Sequence, residues 1–142
     1  MKMDNATAKE VFGHFDGLPT ASLATLDNGR PRVRPVTVVH HDGNLFVLTG
    51  TGSKKVRQLR ADPRFEICIG LKSGKNEGYL RADGRSEIVK DAALKAAVAK
   101  ATPYFRTYWK STDDPSYTLL RLRLKNINLM RPGDMEETAY TP

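Results

Sequence analysis

The chain has 142 residues, 39% hydrophobic and 27% charged. That is enough to bury a core without disulfides or metal staples, and too apolar for a disordered polypeptide. A surplus of 23 Lys and Arg over 16 Asp and Glu gives a net charge of +7, which favours anionic partners, whether nucleic acid, acidic lipid or a phosphorylated small molecule.

No apolar run approaches the roughly 18 residues of a membrane helix. The start, Met1-Lys2-Met3-Asp4-Asn5, has no apolar secretory core. Cys68, the only cysteine, lies between Ile67 and Ile69 and reads as a small buried hydrophobe in a reducing, cytoplasmic setting.

Thr7 with Glu10 has the form of a capping box, and Val11, Phe12 and Phe15 follow at helical spacing. The pattern predicts a short amphipathic helix over 7–15 that lids one end of a barrel. Residues 21–26 then lead into Asp27-Asn28-Gly29, a hairpin turn. The returning strand, 32–39, carries Pro35, whose missing donor marks an edge or a bulge. Asp42-Gly43-Asn44 turns into a third strand, 45–49, and three strands joined by tight turns form an antiparallel meander.

Gly50-Thr51-Gly52 breaks the pattern. Ser53 is a suitable N-cap for a helix holding Val56 and Leu59, ended by Asp62-Pro63. Phe65, Ile67, Ile69 and Leu71 alternate with Glu66, Cys68 and Gly70, the period of a half-buried strand. A polar loop, 72–77, precedes a long fifth strand, 78–89, bent at Gly84. Asp91 caps an alanine-rich helix to about Thr102. The segment 103–110 gathers Tyr104, Phe105, Tyr108 and Trp109. In the sixth strand, 117–124, Leu120, Leu122 and Leu124 point one way and Arg121, Arg123 and Lys125 the other, and 126–130 can extend it. The reading is one α+β domain over residues 1–142: an antiparallel six-stranded β-barrel with flanking short helices.

Chemistry concentrates between Leu48 and Pro63. A helix N-terminus presents unpaired N–H groups and partial positive charge, so it can hold a phosphate. Here glycines allow close approach, and Ser53, Lys54 and Lys55 add a hydroxyl and two charges. On these residues alone Ser53 as a plain cap with solvated lysines is the commoner arrangement. The glycine spacing is not that of a Walker A loop. On strand 32–39, Arg34 can approach the Ser53 helix, and an irregularity at Pro35 would free backbone groups for a ligand.

Taken together, Leu45-Phe46-Val47-Leu48-Thr49, Gly52-Ser53-Lys54-Lys55, Gln58-Leu59 and Asp62-Pro63-Arg64, preceded by Arg34-Pro35-Val36, resemble the FMN-binding split-barrel family related to pyridoxamine 5'-phosphate oxidase. The likeness is greatest to its short general-stress-protein branch and spans about residues 8 to 130. The resemblance implies that Arg34, Ser53, Lys54 and Lys55 hold the phosphate of flavin mononucleotide (FMN). It also implies that the backbone of Pro35, Val36 and Thr37 meets the polar edge of the flavin ring, that Leu48 and Thr49 flank the ribityl chain, and that Tyr79 lies near the flavin. Members are homodimers with two FMN sites at the interface, so the partner subunit would complete each site. Trp109 is a further candidate, although a core or interface anchor is the more usual role for such a residue.

There are departures. The oxidase proper has a substrate-gripping lysine where this chain has Val39, and its C-terminal substrate-binding segment has no counterpart here. Both argue against oxidation of vitamin B6 phosphates.

His14, His40 and His41 make no metal spacing with Cys68 or with a carboxylate cluster, and no catalytic acid or base is nameable. The expected function is an FMN-dependent oxidoreductase acting on an unidentified small molecule in stress or redox metabolism. The alternatives are a non-catalytic flavin-binding stress protein, a relative using deazaflavin F420 or haem, or a nucleic-acid-binding module using Arg121, Arg123 and Lys125 with Lys72 and Lys75.

Overall fold

Two tight turns organise the first half of the chain. Asn28 and Gly29, at φ 50° and 78°, and Asp42 and Gly43, at φ 49° and 75°, occupy the left-handed region that two-residue hairpin turns require. The computed structural model describes residues 1–142. Its elements are α1 (Asn5–Gly13), β1 (Thr20–Asp27), β2 (Arg30–Thr37), β3 (Val39–His41), β4 (Asn44–Gly50), α2 (Lys54–Ala61), β5 (Arg64–Ser73), β6 (Asn76–Ile88), α3 (Ala92–Ala101), α4 (Phe105–Tyr108), β7 (Tyr117–Met130) and β8 (Thr138–Tyr140).

All the strands belong to one antiparallel sheet in the order β2-β1-β5-β6-β7-β4-β3, with β8 added beside β7. Its two edge strands, β2 and β3, are consecutive in the chain and separated only by Val38. The chain therefore crosses from one edge to the other at that residue, and the sheet must curl into a barrel. Beyond Val38 the edges β2 and β4 diverge, and the barrel is split there.

The sheet has eight strands where six were expected. Residues 32–39 read as one β-branched run. In the structure the N–H of Val38 makes one more bond in register with β1, to Pro19 O at 3.0 Å, but Pro19 has no N–H to return, so β2 ends there and β3 follows. The eighth strand returns from the polar segment after Met130 and sets Tyr140 into the core.

Three smaller readings also change. α1 begins at Asn5, capped by the Asp4 carboxylate, which accepts from the Thr7 N–H at 2.7 Å; Thr7 is a first-turn residue and not the cap. Pro35 causes no irregularity, because β1 and β2 pair continuously from Thr20↔Thr37 to Asp27↔Arg30, and the proline is tolerated because β2 is an edge strand. Cys68 is half-buried, on the face of β5 opposite its core residues, between Glu66 and Arg81 in the sheet. The expected bend of the fifth strand is a register shift between Asp83 and Gly84.

The sheet is buried on both faces at β4. Leu45 and Val47 face the barrel core with Leu23, Ile67, Leu80, Leu120 and Ile127, and α1 closes one end with Val11 and Phe15. Phe46 and Leu48 face the other way, into a second core made with Val98, Phe105, Trp109, Tyr117 and Leu119. This second core holds α3 and α4 against the outside of β4 and β7, beside the split.

Candidate functional site

The split holds a cleft of about 500 Å³, within the range of small-molecule sites. One wall is Pro35, Val36 and Thr37 of β2. The opposite wall is Val47, Leu48 and Thr49 of β4, continued by Gly50, Thr51 and Gly52. Tyr104, Tyr108 and Trp109 form an aromatic side. Because β2 pairs with β1 alone, the backbone groups on its other side are without a ladder partner and face the cleft.

At the mouth of α2 the cleft becomes cationic. Lys55 is the only charged side chain in its wall. Its Nζ donates to Thr49 Oγ1 at 2.8 Å, and that hydroxyl makes a long contact to Ser53 Oγ at 3.4 Å. Burial, and then the nearby Arg34 guanidinium, pull the Lys55 pKa below its ordinary value.

Ser53 occupies the N-cap position, yet its side chain makes no capping bond. The amides of Lys54, Lys55 and Val56 reach no acceptor in the chain. α1 and α3, by contrast, are closed by Asp4 and Asp91. An anion at α2 would meet free donors and a favourable dipole with no aspartate to repel it. The turn itself is fixed: Thr51 N–H donates to Ser116 O at 2.9 Å, and Thr51 Oγ1 bonds Pro115 O and Thr118 Oγ1, each at 2.7 Å.

Arg34 lies behind this point, beneath α2. Its Nη1 donates to Leu23 O at 3.1 Å and Thr25 Oγ1 at 2.8 Å, and its Nη2 donates to Gln58 Oε1 at 2.6 Å. Gln58 is 3% exposed. All three acceptors are neutral, so the guanidinium is held in place while its charge stays uncompensated, and burial lowers its pKa.

Of the residues singled out from the sequence, Pro35, Val36, Thr37, Leu48, Thr49 and Lys55 meet in the cleft. Ser53 stands at the adjoining groove with Arg57 and Arg60. Lys54 is exposed and points to neither. Tyr79 lies elsewhere on the same chain: on the outer face of β6 its hydroxyl donates to Glu137 at 2.6 Å, and Arg81 holds the same carboxylate at 2.8 Å. Trp109 is both a core residue, 8% exposed, and part of the cleft wall. Sequence reasoning missed Tyr104, Tyr108, Thr51, Thr25 and Gln58; the aromatic cluster and the polar Gln58 within the quoted motif were the available signals.

A curled antiparallel sheet with a cleft at its split defines a split-barrel protein. The chain belongs to the pyridoxamine 5'-phosphate oxidase family, whose model matches residues 8–131. It is 24% identical over 127 residues to general stress protein 26 of Bacillus subtilis, covering 89% of each chain. Among solved structures it is similar to a NimC/NimA family protein of Clostridium acetobutylicum, with TM-score 0.76, 19% identity and 99% and 100% of the two chains covered. It is also similar to a haem-binding protein of Mycobacterium smegmatis, with TM-score 0.79, 21% identity, 98% of this chain and 59% of that one. At these identities the structural likeness concerns the fold.

Proposed function

We propose that the protein is a homodimeric, FMN-binding oxidoreductase that acts on a small molecule. The observation that carries this reading is the junction of Lys55 with the uncapped start of α2 at one end of a carboxylate-free cleft. An anion-terminated ligand is favoured at that end. Apolar and aromatic walls with free edge-strand backbone suit a planar heterocycle carrying polar atoms on one edge. FMN has that distribution of phosphate, chain and ring.

In this arrangement Lys55 and the α2 amides bind the phosphate, with Arg34 adding charge from behind. The β2 edge orients the ring, while Leu48, Trp109 and Tyr104 exclude water. Bound there, the flavin would supply hydride transfer at its N5. Val39 is 2% exposed, packed in the second core, so it offers no group for a substrate phosphate, and pyridoxamine phosphate is not the proposed substrate.

The partner subunit would pack on the outer face of β2, β1, β5 and β6. Register places Pro35, Val33, Ser22, Ala24, Cys68, Gly70 and Tyr79 on that face, and Val33 is 69% exposed. The face runs into the cleft through Pro35, so a second copy there closes the site and carries Tyr79 in the interface.

A nucleic-acid surface on β7 is less well supported. Arg123 is paired with Glu87 at 2.6 Å and Arg121 lies over the Phe46 ring at 5.5 Å, which leaves little free charge in that row. No helix is long and apolar enough to cross a membrane, and a cytoplasmic setting fits the proposed chemistry.

The test is the absorption spectrum of the purified protein, with identification of what heat releases and titration of the apoprotein with FMN. A flavin spectrum and released FMN support the reading. A haem spectrum, or no affinity for FMN, overturns it.

A further inference from the structure

Across the Thr51 turn from the cleft lies a second cavity, of about 660 Å³, between α2, the end of β6, α3 and the start of β7. Arg60, Lys90 and Lys95 stand in its wall, and no carboxylate does. The acids next to lining residues in the chain are engaged elsewhere: Asp62 pairs with Arg64, Glu87 with Arg123, Asp91 caps α3, and Asp114 accepts from Ser116. Arg60 and Lys90 take part in none of the molecule's ion pairs.

Lys95 is half-buried and fixed in direction. Its Nζ donates to Tyr117 O at 3.1 Å and stands 4.8 Å from the Tyr117 ring centre, while the Tyr117 hydroxyl donates back to Lys95 O at 3.0 Å. An ammonium has three donors, so two remain for a ligand. Ser86 also lines the cavity, and its Oγ is buried with no hydrogen-bond partner. Native structures seldom leave such a hydroxyl unmet. Leu59, Ile88 and Val89 supply an apolar side.

We propose that this cavity is a second anion-binding site, separate from the cleft, for a compact small molecule carrying a phosphate or paired carboxylates. Three cations in one lining without an acid favour more than one negative charge, and the unpartnered Ser86 hydroxyl in the same lining adds a donor. The site does not depend on what the main cleft binds.

Inorganic pyrophosphate is the probe, titrated calorimetrically at low salt into the native protein, Lys55→Ala, the double variant Arg60→Ser/Lys90→Ser, and Lys95→Met. Lys55→Ala should keep a pyrophosphate-binding phase that the native protein also shows, losing at most a phase that belongs to the main cleft. The double variant should bind at least about tenfold more weakly, and raising salt should weaken native binding. Arg60 and Lys90 are exposed, so the double variant should melt as the native protein does. Lys95→Met should also lose affinity, and it keeps the side-chain stem that packs on Tyr117.

No binding to the native protein overturns the proposal. So does loss in Lys55→Ala with retention in the double variant, since the probe would then sit in the main cleft. Equal losses in both would show one diffuse field and no second site.

Discussion

Lys55 Nζ and Thr49 Oγ1, 2.8 Å apart, fasten the first turn of α2 to the last residues of β4. The ammonium is thereby aimed along the cleft wall instead of into solvent. Lys55→Ala should weaken FMN binding by about 1.5–3 kcal/mol, the worth of a hydrogen bond to a charged group, and leave riboflavin binding nearly unchanged. Lys54→Ala, one position away and exposed, should change neither much. Calorimetric titration of the apoproteins with both ligands checks this, and the Lys55 effect should shrink at higher salt.

Gln58 offers a test of the sign of the charge behind the cleft. Gln58→Glu keeps an acceptor for Arg34 and Thr25 but neutralises the guanidinium. The expected outcome is a folded protein with weaker FMN binding and unaltered riboflavin binding. Gln58→Leu removes the acceptor altogether and should destabilise the fold by about 1–3 kcal/mol, read from urea unfolding.

Val33→Glu should convert the dimer to a monomer. The side chain is 69% exposed in the single chain, so its replacement breaks no packing within the fold, and any fall in melting temperature should be the concentration-dependent loss of the partner. Its register places it on the same face as Glu66, so the new charge adds to one already there. Light scattering should read twice the 15.8 kDa chain mass for the native protein and one chain mass for the variant. A native monomer would remove the proposed interface.

Acid should unfold the protein through its paired carboxylates. Arg131 holds Glu10 with two bonds of 2.8 Å and keeps it below its ordinary 4.5, and Arg64 holds Asp62 down to about 2. A depressed carboxylate contributes stability that is present above its unfolded pKa and lost as pH falls through the folded one. Melting temperature should therefore be level above about pH 5 and decline between about 4.5 and 2. Glu10→Gln should melt lower at pH 7 and converge with the native protein at the acid end.

Gly84 sits at the register shift, where a Cβ would come 1.8 Å from Arg123 O and 3.1 Å from the Leu124 Cα. These are backbone atoms of the neighbouring strand and cannot rotate away. Gly84→Ala should cost on the order of 3 kcal/mol, measured by denaturant unfolding.

Which features the sequence revealed follows from the range over which each is determined. The turns at Asn28-Gly29 and Asp42-Gly43 and the cap at Asp91 are set by adjacent residues, and all three were readable. The change of sheet edge at Val38 was not, because Val36-Thr37-Val38-Val39 has uniform strand propensity and the pairing ends where its in-register partner Pro19, distant in sequence, has no N–H to return. At the site, Ser53-Lys54-Lys55 marked the helix start by composition. Which lysine enters the cleft depends on how α2 packs, since a single helical step turns a side chain by about 100°. Thr25 and Gln58 are polar residues at inward positions, and their role appears only when Arg34 reaches between them. Tyr79 lies outside the cleft of its own chain, so any part it plays there depends on a second molecule.

The strand order also fixes when the cleft can exist during synthesis. β4 supplies one wall, but apart from the three-residue β3 its only neighbour is β7, which ends at Met130. Until β7 has emerged, β1, β2, β5 and β6 can pair, whereas β4 has bare hydrogen-bonding groups along the edge that β7 will fill. The Thr51 turn is likewise untethered until Pro115, Ser116 and Thr118 arrive. The binding wall is therefore completed only by a strand that emerges well after β4 itself, and pairings this distant in sequence slow folding.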